Sequence, residues 1–129
     1  MGKECYCSSG MFFEKCCERY LNGKENPKTA EQLMRSRYSA YALQNETYLI
    51  KTWHSTTCPG NKTLGEEHLK WHRLKVKETV MGGVNDETGE VAFEAIYKIN
   101  GKAHKHIERS LFEKEEGVWR YLDVMKEEE

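Results

Sequence analysis

A chain of 129 residues, 38% hydrophobic and 32% charged, has the makeup of one compact domain and not of a disordered segment or a fibre. Lys and Arg number 20 and Asp and Glu 21, a net charge of −1; this excludes the broad basic field that nucleic-acid phosphates attract. No apolar run approaches the roughly 18 residues a membrane span needs. The start, Met1-Gly2-Lys3-Glu4-Cys5, has no secretory-type apolar stretch, and Tyr6 stands where a myristoylation signal carries Ser or Thr. A cytoplasmic location is expected.

The chain opens on its densest chemistry. Four of its 5 cysteines lie at Cys5, Cys7, Cys16 and Cys17, and the other is Cys58. An odd count in a reducing compartment argues against a disulfide framework. Cys-x-Cys, eight residues, then Cys-Cys supplies four soft ligands, and Ser9-Gly10 gives the turn that returns the second pair to the first. Zinc takes four such ligands in a tetrahedron with sulfur at about 2.3 Å. With every position filled by protein the site is closed, hence structural; iron is the alternative ion, since softness and geometry admit it too. Metal binding would supply the folding energy of so short a segment, on the order of 10–16 kcal/mol. Lys3, Lys15 and Arg19 are near enough in sequence to offset the negative charge of four thiolates. Met11 to Leu21 has helical periodicity, which would present Cys16 and Cys17 from a helix.

A linker follows, with Gly23 and Pro27 as its breakers. Thr29-x-x-Gln32 has capping-box spacing and opens a helix over about 30–44, with Met34, Tyr38 and Tyr41 on one stripe. Asn45 ends it or caps the next helix, 46–53, which brings Leu49, Ile50 and Trp53 to one side. Thr63-x-x-Glu66 predicts a brief helix toward Trp71. Lys24, Lys28, Arg35 and Arg37 form a modest basic stretch, read as solvated helix surface.

The period then changes to two. Leu74, Val76 and Val80 alternate with polar residues, and Val91, Phe93, Ala95, Tyr97 and Ile99 share one face of a second strand. Asn100-Gly101 is a two-residue hairpin signal. A third strand, 102–114, carries His104, His106, Glu108, Ser110 and Phe112 on one face. Glu116-Gly117 turns it into a fourth, 118–124, in which Trp119, Tyr121 and Asp123 share a face. Helices followed by an antiparallel meander imply an α+β fold, with helices on one face of a curved sheet.

Cys5-x-Cys7-x-Ser9-Gly10-x5-Cys16-Cys17 resembles the SEC-C motif, known from the tail of the bacterial preprotein translocase ATPase, whose fourth ligand is usually His where this chain has Cys17. The run from Thr29 to Tyr41, with Thr52-Trp53-His54, Glu108-x-Ser110-x-Phe112 and Trp119-x-Tyr121-x-Asp123, resembles the bacterial YchJ family over nearly the whole chain. Some relatives carry a second cysteine motif near their C-terminus; this sequence ends in Lys126-Glu127-Glu128-Glu129. The resemblance implies a nuclear transport factor two-like cone, in which helices and a concave sheet enclose a pocket. The expected organisation is a zinc knuckle at 1–22, a linker at 23–29, the cone at 30–125 and an acidic tail at 126–129.

Two functions of different class follow. The first is a non-enzymatic adaptor whose knuckle docks a protein partner; the SEC-C resemblance implies the ribosome, a chaperone or the secretion machinery. The second is a small-molecule-binding or enzymatic cone, with Glu108, Asp123 and His54 as a general acid–base group. His104, His106 and Glu108 would be a metal set only with a bulge, because neighbours on one strand face stand nearly 7 Å apart. Cys58 reads as a free thiol with His54 the one nearby partner, and the tryptophans read as core and cavity wall. No nucleophile–base pairing or phosphate-binding loop is present in the sequence, so no catalytic residue is assigned.

Overall fold

The computed structural model describes residues 3–59 and 69–125. The knuckle segment does not form one helix. A single 3-10 turn, Phe13–Lys15, is followed by helix α1, Glu18–Leu21, and Cys16 breaks the path between them at φ −119°, ψ −106°. The two cysteines therefore sit in a bend, which lets adjacent residues turn toward one centre. Cys5 N–H donates to the Met11 carbonyl at 2.8 Å and Phe13 N–H to the Lys3 carbonyl at 2.7 Å, closing the loop that returns Cys16 to Cys5.

Helix α2, Ala30–Ala42, starts where the capping signal places it: Thr29 Oγ1 accepts from the Gln32 N–H at 3.1 Å. Gln32 Oε1 reaches back to the Lys28 N–H at 2.8 Å, one residue beyond the usual form of the box. The helix stops two residues short of its expected end, because Gln44 takes φ +57°. Asn45 then caps helix α3, Glu46–Lys51, by accepting from the Tyr48 N–H at 3.1 Å. The expected helix opened by Thr63 lies outside the described residues, and Trp71, where it would end, belongs to the first strand.

Four strands, β1 Lys70–Met81, β2 Thr88–Ile99, β3 Lys102–Glu115 and β4 Val118–Val124, pair in sequence order as an antiparallel meander. Asn100 and Gly101 both hold positive φ, at 50° and 81°, as a tight hairpin turn requires. A bulge between Val76 and Glu78 in β1 inverts the alternation beyond it. Thr79, not Val80, comes opposite Val91, and Val80 pairs with Glu90 on the convex face, where it is exposed. A further bulge, with Leu122 of β4 as the extra residue across from the Leu111–Phe112 step of β3, places Tyr121 opposite Phe112 but Asp123 opposite Leu111. Asp123 therefore leaves the face it was expected to share with Trp119 and Tyr121.

The core lies between α2 and the concave face, built on Leu33, Leu74, Val91, Phe93, Phe112 and Trp119, and the four knuckle cysteines belong to the same cluster. Each large apolar side chain buried there contributes about 1.5–3 kcal/mol. At the closed end, Trp119 Nε1 donates to the Lys28 carbonyl at 3.1 Å. The β1–β2 hairpin meets the start of α2 so closely that a Cβ on Gly82 would stand 2.8 Å from Ala30 Cβ, and within the hairpin a Cβ on Gly89 would stand 2.5 Å from Gly82 Cα. Burial falls along β3 from Ser110 to His104, so the cone opens toward the β2–β3 hairpin. Among the described residues no helix is long and apolar enough to cross a membrane.

Candidate metal centre and ligand cavity

The bend at Cys16 and Cys17 and the loop at Cys5 and Cys7 bring four sulfurs within 4.8 Å of one another, and all four residues are buried. The Cys7–Cys16 sulfurs are 3.6 Å apart and the Cys16–Cys17 sulfurs 3.9 Å. Sulfurs on a regular tetrahedron at the zinc bond length would be about 3.8 Å apart, so the donor set fits a four-thiolate centre. Hydrogen bonds from Cys17 and Cys7 hold Cys5 far below the usual thiol range, burial pushes Cys16 up to about 11, and hydrogen bonds with Cys5 and Cys7 push Cys17 well above it. Crowded thiolates repel one another; the positive charge of a central cation would offset that repulsion and so favour the deprotonated form of each coordinating thiol.

Two hydroxyls stand beside the sulfurs. Ser9 Oγ is 3.2 Å from Cys16 Sγ, and Ser39 Oγ, on α2, is 3.6 Å from Cys5 Sγ. Of the expected charge partners, Lys3 binds the Tyr6 hydroxyl at 2.7 Å, Lys15 is exposed, and Arg19 donates to the Cys16 carbonyl at 3.0 Å. The arginine that ties the knuckle to the cone is Arg35. Its Nη1 donates to the Cys7 carbonyl at 2.9 Å while its Nε pairs with Glu31 at 3.0 Å. Ser8 Oγ adds a bond from the Leu74 N–H of β1, at 3.1 Å. The cysteine side of the knuckle thus faces inward, and Met11 and Phe12 face outward, each about half exposed.

A second feature lies on the other side of α2, where a cavity of about 300 Å³ separates the helix from the sheet. Met34, Arg37, Tyr38 and Tyr41, one helical stripe, form its roof. Trp71, Phe93, Ala95 and Tyr97 form one wall, and His106, Glu108, Ser110 and Tyr121 the other. Trp71 meets Tyr38 edge-on at 5.6 Å and Tyr97 at 5.3 Å. This volume is at the small end of ligand sites, which run from about 300 to 1,000 Å³.

The period-two reading of β3 holds: His106, Glu108 and Ser110 do line one face. Glu108 is the hub, accepting from Ser110 Oγ at 2.5 Å and bonding His106 Nε2 at 2.9 Å. Burial pushes the Glu108 carboxyl up, but the His106 and Ser110 hydrogen bonds outweigh it and leave the group below its ordinary value. The hydrogen bond to Glu108 raises His106. With the carboxylate between serine and histidine, the histidine cannot take the serine's proton, so this is not a nucleophile–base relay.

The other expected partners do not join it. Asp123 is exposed, its Oδ1 accepting from the Val124 N–H at 2.8 Å, because the β3–β4 bulge turns it outward. His54 follows α3, where its Nδ1 meets Thr56 Oγ1 at 2.8 Å and its Nε2 lies 3.8 Å from Glu113. His104 stacks on Tyr97 at 5.3 Å and makes no set with His106 and Glu108. Cys58 is half-buried and touches His54 through the backbone, its N–H donating to the His54 carbonyl at 3.0 Å.

Sequence reasoning misplaced Arg37, which is 4% exposed and not on a solvated surface. Its Nη1 donates to the Leu49 carbonyl at 2.8 Å and to Thr52 Oγ1 at 2.7 Å, and the guanidinium lies 4.6 Å from the Tyr121 ring centre. The signal was available: Arg37 falls within the Met34–Tyr38–Tyr41 stripe. The Tyr38 hydroxyl is buried without a hydrogen-bond partner; burial, then the nearby Cys7, hold its proton on.

Known proteins share this arrangement. Residues 29–124 match the family model for the YchJ middle, nuclear transport factor two-like domain. A UPF0225 protein of Chromobacterium violaceum is 45% identical over 92% of this chain and 89% of its own length. Another, from Corynebacterium glutamicum, is 40% identical over 94% and 95%. The solution structure of a SEC-C motif containing protein from Rhodopseudomonas palustris superposes with a TM-score of 0.81 at 30% identity, over 96% of this chain and 98% of that one. A crystal structure of a SEC-C motif containing protein from Psychrobacter arcticus has the same fold, with a TM-score of 0.69 at 24% identity over 95% and 77%. A buried four-cysteine group, a four-stranded cone and these similarities agree: the chain belongs to the YchJ (UPF0225) family.

Proposed function

We propose that this protein is a small-molecule-binding cone held in shape by one structural zinc ion on Cys5, Cys7, Cys16 and Cys17, working in the reducing cytoplasm. One observation carries the reading: the concave face is not packed solid. It keeps a cavity of about 300 Å³ with aromatic walls and a few converging polar groups, the pattern of ligand sites. The thiolates face the core, which suits a closed zinc site that fixes structure and leaves no position for substrate. Binding, not catalysis, fits a carboxylate hub whose two oxygens are already engaged by His106 and Ser110.

The test combines a fragment screen by amide NMR with a blocked variant. Small aromatic fragments should shift the Phe93, Ala95 and Tyr97 amides in the native protein, and Ala95→Leu, which grows a side chain into the cavity, should abolish those shifts. Shifts confined to the knuckle or the convex face would overturn the reading. Metal analysis of protein purified without added metal should give one zinc per chain, lost in Cys16→Ser; an iron–thiolate absorption band would replace zinc with iron.

The adaptor reading rests on a different observation, the outward Met11–Phe12 pair on the knuckle. If the knuckle docks a protein, Met11→Ser with Phe12→Ser should remove partners captured from a bacterial lysate while metal content stays unchanged. Identical partner sets would end that reading.

A further inference from the structure

If the cavity is the working site, its charges restrict what can enter. Arg37 is a buried cation whose close hydrogen-bond acceptors, the Leu49 carbonyl and Thr52 Oγ1, are both neutral. The buried phenols around it, Tyr48 and Tyr121, are also neutral; burial lifts Tyr48 to about 12 and Tyr121 further. Among the described residues no carboxylate lies within ion-pair distance of Arg37. A buried charge without a counter-ion is costly, because low-dielectric surroundings do not replace its hydration.

Glu108 lines the same cavity and feels the field of Arg37, but it is not the missing counter-ion. One of its oxygens meets His106 and the other Ser110, so its charge is held on the β3 wall. The roof therefore carries a positive charge without an ion-pair partner, facing a wall whose carboxylate is already hydrogen-bonded by His106 and Ser110. Around both stand flat rings, Tyr38, Trp71, Phe93, Tyr97 and Tyr121, with Tyr38 edge-on to Trp71 and Tyr97 tilted against it.

From this geometry we infer that the cavity takes a small aromatic monocarboxylate, its carboxylate at Arg37 and its ring against Trp71 and Tyr97. A planar carboxylate matches the planar donor fork of a guanidinium. A ring suits walls that favour offset and edge-to-face contacts. A cationic ligand would be repelled by Arg37, while Glu108 already accepts from His106 and Ser110, and a dianion would set its second charge against Glu108. The cavity's volume admits one substituted ring and excludes larger cofactors.

The experiment keeps the zinc-loaded full chain native and varies the probe: benzoate, benzamide, methyl benzoate and benzylamine, titrated while the Phe93, Ala95 and Tyr97 amides and the Arg37 side-chain Nε–H are followed by NMR. Benzoate should move all four signals. The two neutral analogues should bind at least about tenfold more weakly, as expected on losing a charge-assisted hydrogen bond, and benzylamine should not move them. Arg37→Lys should weaken benzoate by a larger factor than benzamide; an equal loss for both would overturn the carboxylate assignment. Benzamide or methyl benzoate binding in the cavity as tightly as benzoate would overturn the carboxylate assignment and leave the cavity reading intact. If none of the four moves a cavity amide, the cavity reading itself fails and this inference with it.

Discussion

Zinc removal tests how far the knuckle is part of the cone. An autonomous knuckle would unfold alone on chelation and leave the cone's thermal midpoint where it was. Here the knuckle gives the cone a charge-assisted bond from Arg35 to the Cys7 carbonyl, a backbone bond from Leu74 to Ser8, the Ser39–Cys5 contact, and cysteines buried in the common core. The arginine bond is worth about 1.5–3 kcal/mol and the neutral one about 1 kcal/mol. Allowing for the lost packing as well, the cone should lose about 3–5 kcal/mol, a large share of a typical domain's stability. For a chain of this length that corresponds to a fall in Tm of about 10–20 °C. Tryptophan fluorescence is the readout, because Trp53, Trp71 and Trp119 all lie in the cone, and the protein is heated with and without a strong zinc chelator under reducing conditions. A midpoint that moves by less than about 2 °C, with the metal demonstrably removed, would refute the claim that knuckle and cone share one cooperative core.

Three further outcomes follow from single contacts. Gly89→Ala drives a Cβ into the Gly82 backbone, which cannot swing aside as a side chain could; it should cost about 1–3 kcal/mol, read as a lower urea midpoint. Thr29→Ala removes the oxygen that caps α2 and should cost about 1 kcal/mol in the same assay. Glu108→Gln should bring His106 back down toward its ordinary value of 6.5 in an NMR titration. The signs set the pH window of this pair. The raised histidine contributes in full below 6.5, and its share is lost as pH rises through its folded value. The lowered carboxylate contributes above 4.5, and its share is lost as pH falls through its folded value. The pair is therefore strongest between 4.5 and 6.5.

What could be read from the sequence was what the chain decides locally. The Thr29 and Asn45 caps and the Asn100-Gly101 turn each depend on a few neighbouring residues, and each came out as expected; the short spacing of the cysteines likewise brings their four sulfurs together. The face of β3 was legible for the same reason, since alternation needs no partner. Val80 and Asp123 were misread because a bulge is a property of two strands: one extra residue on either side reverses every side chain beyond it. Arg37 was misread because charge alone suggests solvent, although its position between Met34 and Tyr41 indicated the aromatic stripe.

Both features meet on α2, and this is why its burial is unlike that of an ordinary surface helix. Ser39 and Arg35 turn toward the knuckle, while Met34, Arg37, Tyr38 and Tyr41 turn toward the cavity. A helix buried on two sides needs small residues where another segment comes close, and Ser36, Ser39 and Ala40 are all fully buried there. Ser36 carries its hydroxyl inside without penalty by bonding the Leu33 carbonyl at 2.8 Å and the Tyr48 hydroxyl at 2.7 Å, which fixes α3 to α2. Arg37 repeats the device one residue on, reaching the Leu49 carbonyl at the end of α3 from the cavity side. The roof of the cavity is thus set by contacts that begin at the cysteines. The cysteines, through Ser39 and Arg35, help to fix where α2 sits, and with it the shape of the cavity beneath the helix.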